Sequence, residues 1–163
     1  MLCANLYPIE RDSILREFPW NCSTTRTVLA RLSVAPAFDF SSQFALPSDF
    51  LRLIAVGGTR IDSDGVARFK IEGRNILASG SSLPVEYVFK NYKEATWDSK
   101  LVELMTARML WKLAYPVTQS TSLRDTLKDE YVKMAALARS VDSQENSAQE
   151  LSDDFSLIES RGG

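Results

Sequence analysis

The sequence predicts an α+β protein, with a helical bundle of about three helices, an antiparallel β-rich lobe and an extended C-terminal tail. Three observations support this prediction. Apolar residues recur at helical spacing near the start of the chain and again beyond residue 97, and a period of two occupies the region between them. The last part of the chain is polar and acidic. At 163 residues the chain has the size of one domain with its own core, and we predict a single domain over residues 1–163.

We predict a first helix within residues 1–21. Pro8 suits the first turn of a helix, where a missing N–H is tolerated. Pro19 disfavours helical geometry at the preceding residue and donates no backbone hydrogen bond, so the helix should end there. Trp20 should then fold back onto the apolar face of the helix, which consists of Tyr7, Ile14, Leu15 and Phe18.

Residues 24–90 should form the β-rich lobe. The first strand alternates apolar residues with polar or small ones, and this pattern is typical of a half-buried strand. The run FLRLIAVGG at 50–58 predicts a second strand that ends in a Gly-Gly turn. The face of the first strand that we expect to be buried carries Val28, Ala30, Leu32 and Val34.

A hairpin is expected in the sequence RFKIEGRNILAS. With Gly73 and Arg74 as the two turn residues, Ile71 falls opposite Ile76. A glycine at the first turn position suits a type II′ turn. The run LPVEYVF at 83–89 predicts a further strand, whose proline lies near the start, where a missing N–H is tolerated. An antiparallel meander is the expected topology.

Residues 97–140 should form a two-helix layer. The first of these helices runs from Trp97 to a stop at Pro116, and apolar residues cover most of its circumference. Such a helix is either central in the fold, or buried by the core on one side and by a partner on another. The second helix carries one apolar stripe and has Ser122 and Asp125 at the spacing of a capping box. The short connection predicts that the two helices are antiparallel neighbours.

Residues 141–163 predict an extended acidic tail. Low hydrophobicity and one-sided charge prevent such a segment from packing on its own. The run DDFSLIESR nevertheless places three large apolar residues close together inside it, and two interpretations stay open. The tail is either disordered or a segment that orders on a partner. In the second case the candidate partner-binding residues are Phe155, Leu157, Ile158 and Arg161.

The composition excludes several kinds of site. The chain has no histidine and two cysteines, so it offers no Ser-His or Cys-His nucleophile pair and no complete zinc site. No phosphate-binding or dinucleotide-binding glycine motif occurs, and we expect no catalytic residue, metal or cofactor. The fragment DSDG at 62–65 is best explained as a tight turn, because a calcium loop in that register would need Arg60 and Ile71 as ligands. The net charge of −2 gives no overall reason to bind nucleic acid.

Five stretches carry motifs in a defined order: YPIERDSILREFPWNCSTTRTVLA, QFALPSDFLRL, FKIEGRNILAS, LPVEYVFK and ALARSVDSQE. The first is a Tyr-x-x-x-Arg-Asp helix that runs into Pro-Trp-Asn and a strand. The next three are a Leu-Pro-x-Asp strand, a Glu-Gly hairpin and a strand with tyrosine. The last is an Asp-x-x-Glu segment that follows two helices. This order and spacing resemble the tail tubular protein A family of short-tailed bacteriophages over most of the chain. Cys22 stands where the family usually has an aromatic residue.

The resemblance implies a structural virion protein and not an enzyme. Its place would be the head-tail junction of the phage, after synthesis in the cytoplasm of the host bacterium. There, copies of the chain would form a homo-oligomeric ring, a dodecamer matching the portal protein, that continues the channel for double-stranded DNA without sequence specificity. The ring would attach a tail nozzle similar to tail tubular protein B and would touch no membrane. If the β-rich lobe contacts the nozzle, Glu72 and Arg74 at the hairpin tip are candidate partner-binding residues.

Three alternatives remain open. One is another phage connector, such as a head-completion or stopper protein. The second is an enzyme that uses Asp62, Asp64 or Glu72, although exposed turns usually carry charge because it is solvated there. The third is a small DNA-binding module, although strand alternation would scatter its basic residues over two faces. These residues are Arg52, Arg60, Arg68, Lys70 and Arg74.

Overall fold

The computed structural model describes residues 2–145 and confirms the α+β prediction. Within that range lie three α-helices, two short 3₁₀ helices and seven strands in two sheets. The helices are α1 (Leu2–Glu17), α2 (Ser99–Thr118) and α3 (Thr121–Gln144). The strands are β1 (Thr24–Ala30), β2 (Ser42–Ala45), β3 (Phe50–Val56), β4 (Thr59–Arg60), β5 (Lys70–Glu72), β6 (Asn75–Ala78) and β7 (Ser82–Phe89).

The predicted meander is wrong. The first sheet has the strand order β1-β7-β3-β4 and the second has β2-β6-β5, with all neighbouring strands antiparallel. β1 pairs along its whole length with β7, from Thr24 opposite Val88 to Ala30 opposite Ser82. Local sequence shows which residues are extended, but a pairing across such a distance along the chain depends on tertiary packing.

The predicted turns are confirmed. In the hairpin of β5 and β6, Ile71 lies opposite Ile76. Gly73 has a φ of +56° and Arg74 has a negative φ, as the type II′ turn requires. β3 ends at Val56, and Gly57 and Gly58 form the turn that leads directly into β4.

The buried face of β1 is opposite to the predicted one. Leu29 is buried and lies across from Leu83 of β7, and both belong to the apolar cluster between the two sheets. Because Leu29 is as apolar as its neighbours, the alternation did not decide which face turns inward. Of the residues expected to be buried, three are exposed and Leu32 is half-buried; the exposed ones are Val28, Ala30 and Val34.

α1 begins earlier than predicted. It starts at Leu2, so Pro8 lies inside the helix and not in its first turn. A proline at an interior position removes one backbone hydrogen bond and crowds the preceding turn. Leu6 and Tyr7 pack against the helical core, and we attribute the persistence of the helix through Pro8 to this packing.

The end of α1 confirms the prediction. The helix ends at Glu17, ahead of Pro19, and Trp20 folds back as expected. Trp20 is 2% exposed, and its Nε1 donates a hydrogen bond of 2.9 Å to the carbonyl of Ile14. The ring of Phe18 packs edge-on against it, with 4.9 Å between the ring centroids.

α2 does not stop at Pro116. The helix continues to Thr118, and Gln119 closes it in the left-handed conformation by donating its N–H to the carbonyl of Tyr115 at 2.8 Å. A proline this close to the C-terminus removes one hydrogen bond from the last turns and leaves the capping bond in place. It therefore marks the end of a helix only approximately.

α3 starts at Thr121, where the sequence predicts it, but its cap and its end differ from the prediction. The helix is capped by Ser120 and not by Ser122, because the Ser120 hydroxyl accepts the N–H of Leu123 at 3.2 Å. At its other end α3 runs to Gln144, beyond the predicted limit of 140. The first residues of the predicted tail are therefore helical.

The first sheet lies between the helices and the second sheet. Its β3 residues Leu51 and Ile54 belong to the apolar cluster of the helices, whereas Leu53 and Val56 belong to the cluster shared by the two sheets. Strict alternation would place Leu51 and Leu53 on one face. The pairing of β3 with β7 instead shifts register between Phe50 and Arg52 and again between Leu53 and Ala55, and such bulges redirect side chains from one face to the other. The β-rich part of the chain is thus packed directly onto the helical layer.

Candidate functional site

The Pro-Trp-Asn junction after α1 is tied to the end of α3. The backbone N–H of Asn21 donates to both carboxylate oxygens of Asp142, at 3.2 and 3.3 Å. The Asn21 side-chain amide donates to the Asp142 carbonyl at 3.0 Å and lies 3.5 Å from a carboxylate oxygen of Glu145. Two of the motifs in the sequence, Pro-Trp-Asn and Asp-x-x-Glu, therefore meet in the folded chain.

Asp142 is an acidic group held inside the protein. It is 6% exposed, and burial raises the pKa of its carboxyl, against the opposing effect of the Asn21 N–H. A buried carboxylate is tolerated when hydrogen bonds replace its water. The polar sequence around Asp142 predicts a solvated tail there, and this prediction is wrong for Asp142 itself, which is buried.

A buried ion-pair network around Arg108 joins the three helices. The Arg108 guanidinium of α2 donates to Glu10 and Glu17 of α1, both at 2.6 Å. It also donates to the Ser13 hydroxyl and to the Tyr131 hydroxyl of α3, each at 2.7 Å. One side chain thereby fixes the relative positions of α1, α2 and α3.

The carboxylates keep Arg108 charged despite its burial. Burial by itself lowers the pKa of the guanidinium, but hydrogen bonds to Glu10 and Glu17 outweigh it and raise the pKa above its ordinary value. Lys112 lies 3.3 Å from Glu10, and Arg139 lies 3.6 Å from Glu17. The guanidinium of Arg108 is bonded to Glu10 and Glu17 of the same chain, so we interpret the network as one that positions the helices.

A sequence signal for this network existed. Arg108 follows Leu101 and Leu104 at seven and four residues, so a charge lies on the buried stripe of α2. Glu10, Ser13 and Glu17 recur at helical spacing on α1 and could have been paired with it.

An apolar groove runs between α2 and α3 on the side away from this network. It encloses about 360 Å³. Val102 is 44% exposed and Leu110 is 55% exposed beside it. α2 is therefore not buried on all sides, and the predicted cover of its exposed apolar side by a partner stays a prediction. The groove walls include Val102, Thr106 and Leu110 from α2, and Leu127, Glu130 and Met134 from α3.

The hairpin tip is exposed, as predicted. Glu72 and Arg74 are both exposed. Glu72 forms an ion pair of 2.6 Å with Lys70, and the Arg74 guanidinium turns back to donate to the Pro47 carbonyl at 2.7 Å. Their predicted contact with a nozzle stays a prediction.

The four tail candidates lie outside the described residues. These are Phe155, Leu157, Ile158 and Arg161. Their predicted role in binding a partner stays a prediction, as does the expected order of the tail on assembly.

The basic residues of the β-rich part have individual partners. Arg60 pairs with Asp62 at 3.1 Å, and Arg68 lies 4.0 Å from Asp39. Arg52 donates to the Glu17 carbonyl at 3.5 Å. Each such contact reduces the positive charge offered to a phosphate, and no continuous basic surface follows from these positions.

The carboxylates considered for catalysis are surface groups. Asp62, Asp64 and Glu72 are exposed, and the Arg60 hydrogen bond lowers the pKa of Asp62. Within residues 2–145, no group of three or more histidine, cysteine or acidic side chains is arranged to hold a metal ion.

Comparison with known proteins gives no assignment. No family model matches the chain, and no curated protein is significantly similar to it. Across the described part of the chain, no helix has both the length and the apolar character needed to cross a membrane.

Proposed function

We propose that this protein is a head-to-tail adaptor of a short-tailed bacteriophage, a structural component of the virion. In this role, copies of the chain form a ring beneath the portal protein, continue the DNA channel and attach the tail nozzle. The proposal rests on the resemblance of five ordered motifs to the tail tubular protein A family.

The observation that carries the proposal furthest is the contact between two of those motifs. Asn21 ends the Pro-Trp-Asn motif, and it hydrogen-bonds to Asp142 and Glu145 of the Asp-x-x-Glu motif. Motifs that are far apart in sequence but touch in the fold form one structural unit, so their joint occurrence is less readily explained by coincidence. The contact supports the resemblance, and it explains physically why an asparagine and two acidic residues occur at these positions.

The surface of the protein suits a subunit with several neighbours. The α2–α3 groove leaves apolar area open on the helical side, and the loop after β1 exposes Val34 and Phe38 on the β-rich side. A ring subunit needs two different contact faces, because each copy meets the next head to tail. The chain offers candidates for both.

The experiment uses phage heads that carry portal but were made without this protein. Purified protein is added to them, and the copies bound per head are counted by quantitative mass spectrometry and imaged at the portal vertex. A discrete ring with one copy per portal subunit supports the proposal. Absence of binding to these heads, or binding to heads that lack portal at the same level, contradicts it.

A purified sample also separates the alternatives. A stopper protein that binds to another connector, and not to the portal, would leave heads with portal alone unoccupied. A DNA-binding module would bind duplex DNA with an affinity that falls steeply as salt is raised.

A further inference from the structure

We propose that the α2–α3 groove of one copy receives the loop of residues 31–41 from the next copy. The proposal deepens the adaptor function, because it names the two faces through which ring subunits meet. It rests on the shape, apolar character and charge of the two surfaces.

The groove offers an apolar floor with acidic edges. Leu110 and Val102 expose apolar surface along it, and Glu103 and Glu130 are the charged residues that line it. Glu103 is paired with Lys100 at 2.9 Å, whereas Glu130 makes no ion pair with any of residues 2–145. An occupant with apolar side chains and one nearby positive charge would fit both features.

The loop of residues 31–41 has this composition. Val34 is 67% exposed and Phe38 is 74% exposed. These side chains therefore do not fill a groove on their own copy. Arg31 is exposed at the start of the loop and makes no ion pair within the described range.

The loop is held in shape before any partner arrives. The Gln43 side chain donates to the Val34 carbonyl at 2.8 Å. The Arg68 guanidinium lies 4.9 Å from the Phe40 ring centroid and 4.0 Å from Asp39. Preorganisation lowers the entropy lost on binding, which favours a docking role for Val34 and Phe38.

Charge argues against the C-terminal segment as the occupant. Residues 146–163 contain four acidic residues and a single basic one. Bringing them to Glu103 and Glu130 would place like charges together. The loop instead carries one cation, Arg31, and one acid, Asp39, which lies 4.0 Å from Arg68 of its own copy. The contact is heterologous, since loop and groove belong to different layers of the fold, and repeating it produces a ring if the rotation closes.

The test is a charge exchange between copies. We expect Arg31→Glu or Glu130→Arg, each alone, to weaken self-association by about tenfold or more, because each creates a like-charge contact. An equal mixture of the two variants should recover it, since every loop then meets a groove of opposite charge. Asp129→Arg makes the same charge change one residue away from the groove and serves as the matched control. Self-association is measured by sedimentation velocity over a range of concentrations.

A cross-link fixes the geometry. In a Cys3→Ser background, a Phe38→Cys copy mixed with a Leu110→Cys copy should form a disulfide-linked dimer that neither variant forms alone. Val28→Cys, which replaces another exposed residue of the β-rich part, should not cross-link to Leu110→Cys. The reaction is run with free protein and on portal-bearing heads.

The outcomes are decisive. The absence of the Phe38–Leu110 cross-link in both settings, or no recovery in the mixture, overturns the proposal. Self-association that is lost on deleting residues 146–163 and insensitive to Arg31→Glu assigns the groove to the tail instead. If the single charge variants bind portal-bearing heads at normal stoichiometry, the proposed interface is wrong and the adaptor function is still supported. If the mixture recovers self-association but no protein binds to the heads, the interface is supported and the adaptor function is wrong.

Discussion

Replacement of Arg108 by alanine is expected to destabilise the protein by about 3 to 5 kcal/mol, the usual consequence of leaving a buried charge without its partner. The side chains of Arg108 and Glu10 are 7% and 8% exposed, and they are joined at 2.6 Å. In the variant, Glu10 stays buried, and among residues 2–145 its remaining ion-pair partner is Lys112, at 3.3 Å. The Tyr131 and Ser13 hydroxyls lose their donor as well.

The assay is urea unfolding at pH 7, followed by tryptophan fluorescence. With a slope of about 2 kcal/mol per molar urea for a domain of this size, the midpoint should fall by about 1.5 to 2.5 M. Lys100→Ala removes an exposed ion pair, with side-chain exposures of 40% and 52%. That control should change the unfolding free energy by no more than about 1 kcal/mol.

A double variant separates the lost pair from lost packing. Arg108→Met with Glu10→Gln removes both charges while it keeps much of the buried volume, and it should be clearly more stable than Arg108→Ala. A loss below about 1 kcal/mol for Arg108→Ala, equal to that of the Lys100 control, would refute the reasoning. It would mean that water enters the helix junction and solvates Glu10.

Four further predictions follow from the structure and the sequence. Leu104 is 1% exposed. Leu104→Asp should therefore abolish soluble expression or assembly, because a buried unpaired charge costs several kcal/mol. Recovery of normal protein that assembles would contradict this placement of Leu104. Burial and, next, the Asp49 carboxylate raise the pKa of Tyr87 to about 12, so the free energy of unfolding should fall as pH rises from the ordinary tyrosine value of about 10, and Tyr87→Phe should flatten that fall. An unchanged pH profile in urea unfolding would exclude Tyr87 as its source. Arg74→Glu should leave binding to portal-bearing heads intact and weaken nozzle attachment, measured by co-sedimentation; equal loss of both activities would show that the hairpin does not face the nozzle. Deleting residues 148–163 should leave the urea midpoint unchanged and prevent stable attachment to portal-bearing heads, and attachment at wild-type strength would rule out the tail as an anchor.

Local features of the structure were largely predictable from the sequence. The stop of α1 before Pro19, the return of Trp20 and the opposition of Ile71 and Ile76 all depend on residues close together in the chain. Proline geometry, turn chemistry and helical period act over a few residues, so a sequence window contains the information they need.

The ends of helices were less predictable, because a local rule does not take account of tertiary packing. Pro8 and Pro116 both lie inside helices, where a local rule places them at a boundary. The cost of one missing hydrogen bond is small enough for packing of the surrounding apolar residues to override it.

Tertiary structure alone decided the pairing of β1 with β7 and the inward face of β1. Val28 and Leu29 are both apolar, and only the second sheet, which contributes Phe44 and Ile76 to the cluster around Leu29, selects the latter. When both faces of a strand are equally apolar, the element of the same chain that packs on one face decides which face is buried.

Some properties of the candidate sites were also determined by the sequence, and others only by the tertiary structure. The sequence by itself determined that no histidine-dependent chemistry is available and that apolar surface on α2 exceeds what one core needs. The contacts of Arg108 with α1 and of Asn21 with Asp142 join residues about a hundred positions apart in the chain. Helical spacing shows which side chains share a face, but not which other element that face contacts. Only the packing of three helices and two sheets brings these groups within hydrogen-bond distance.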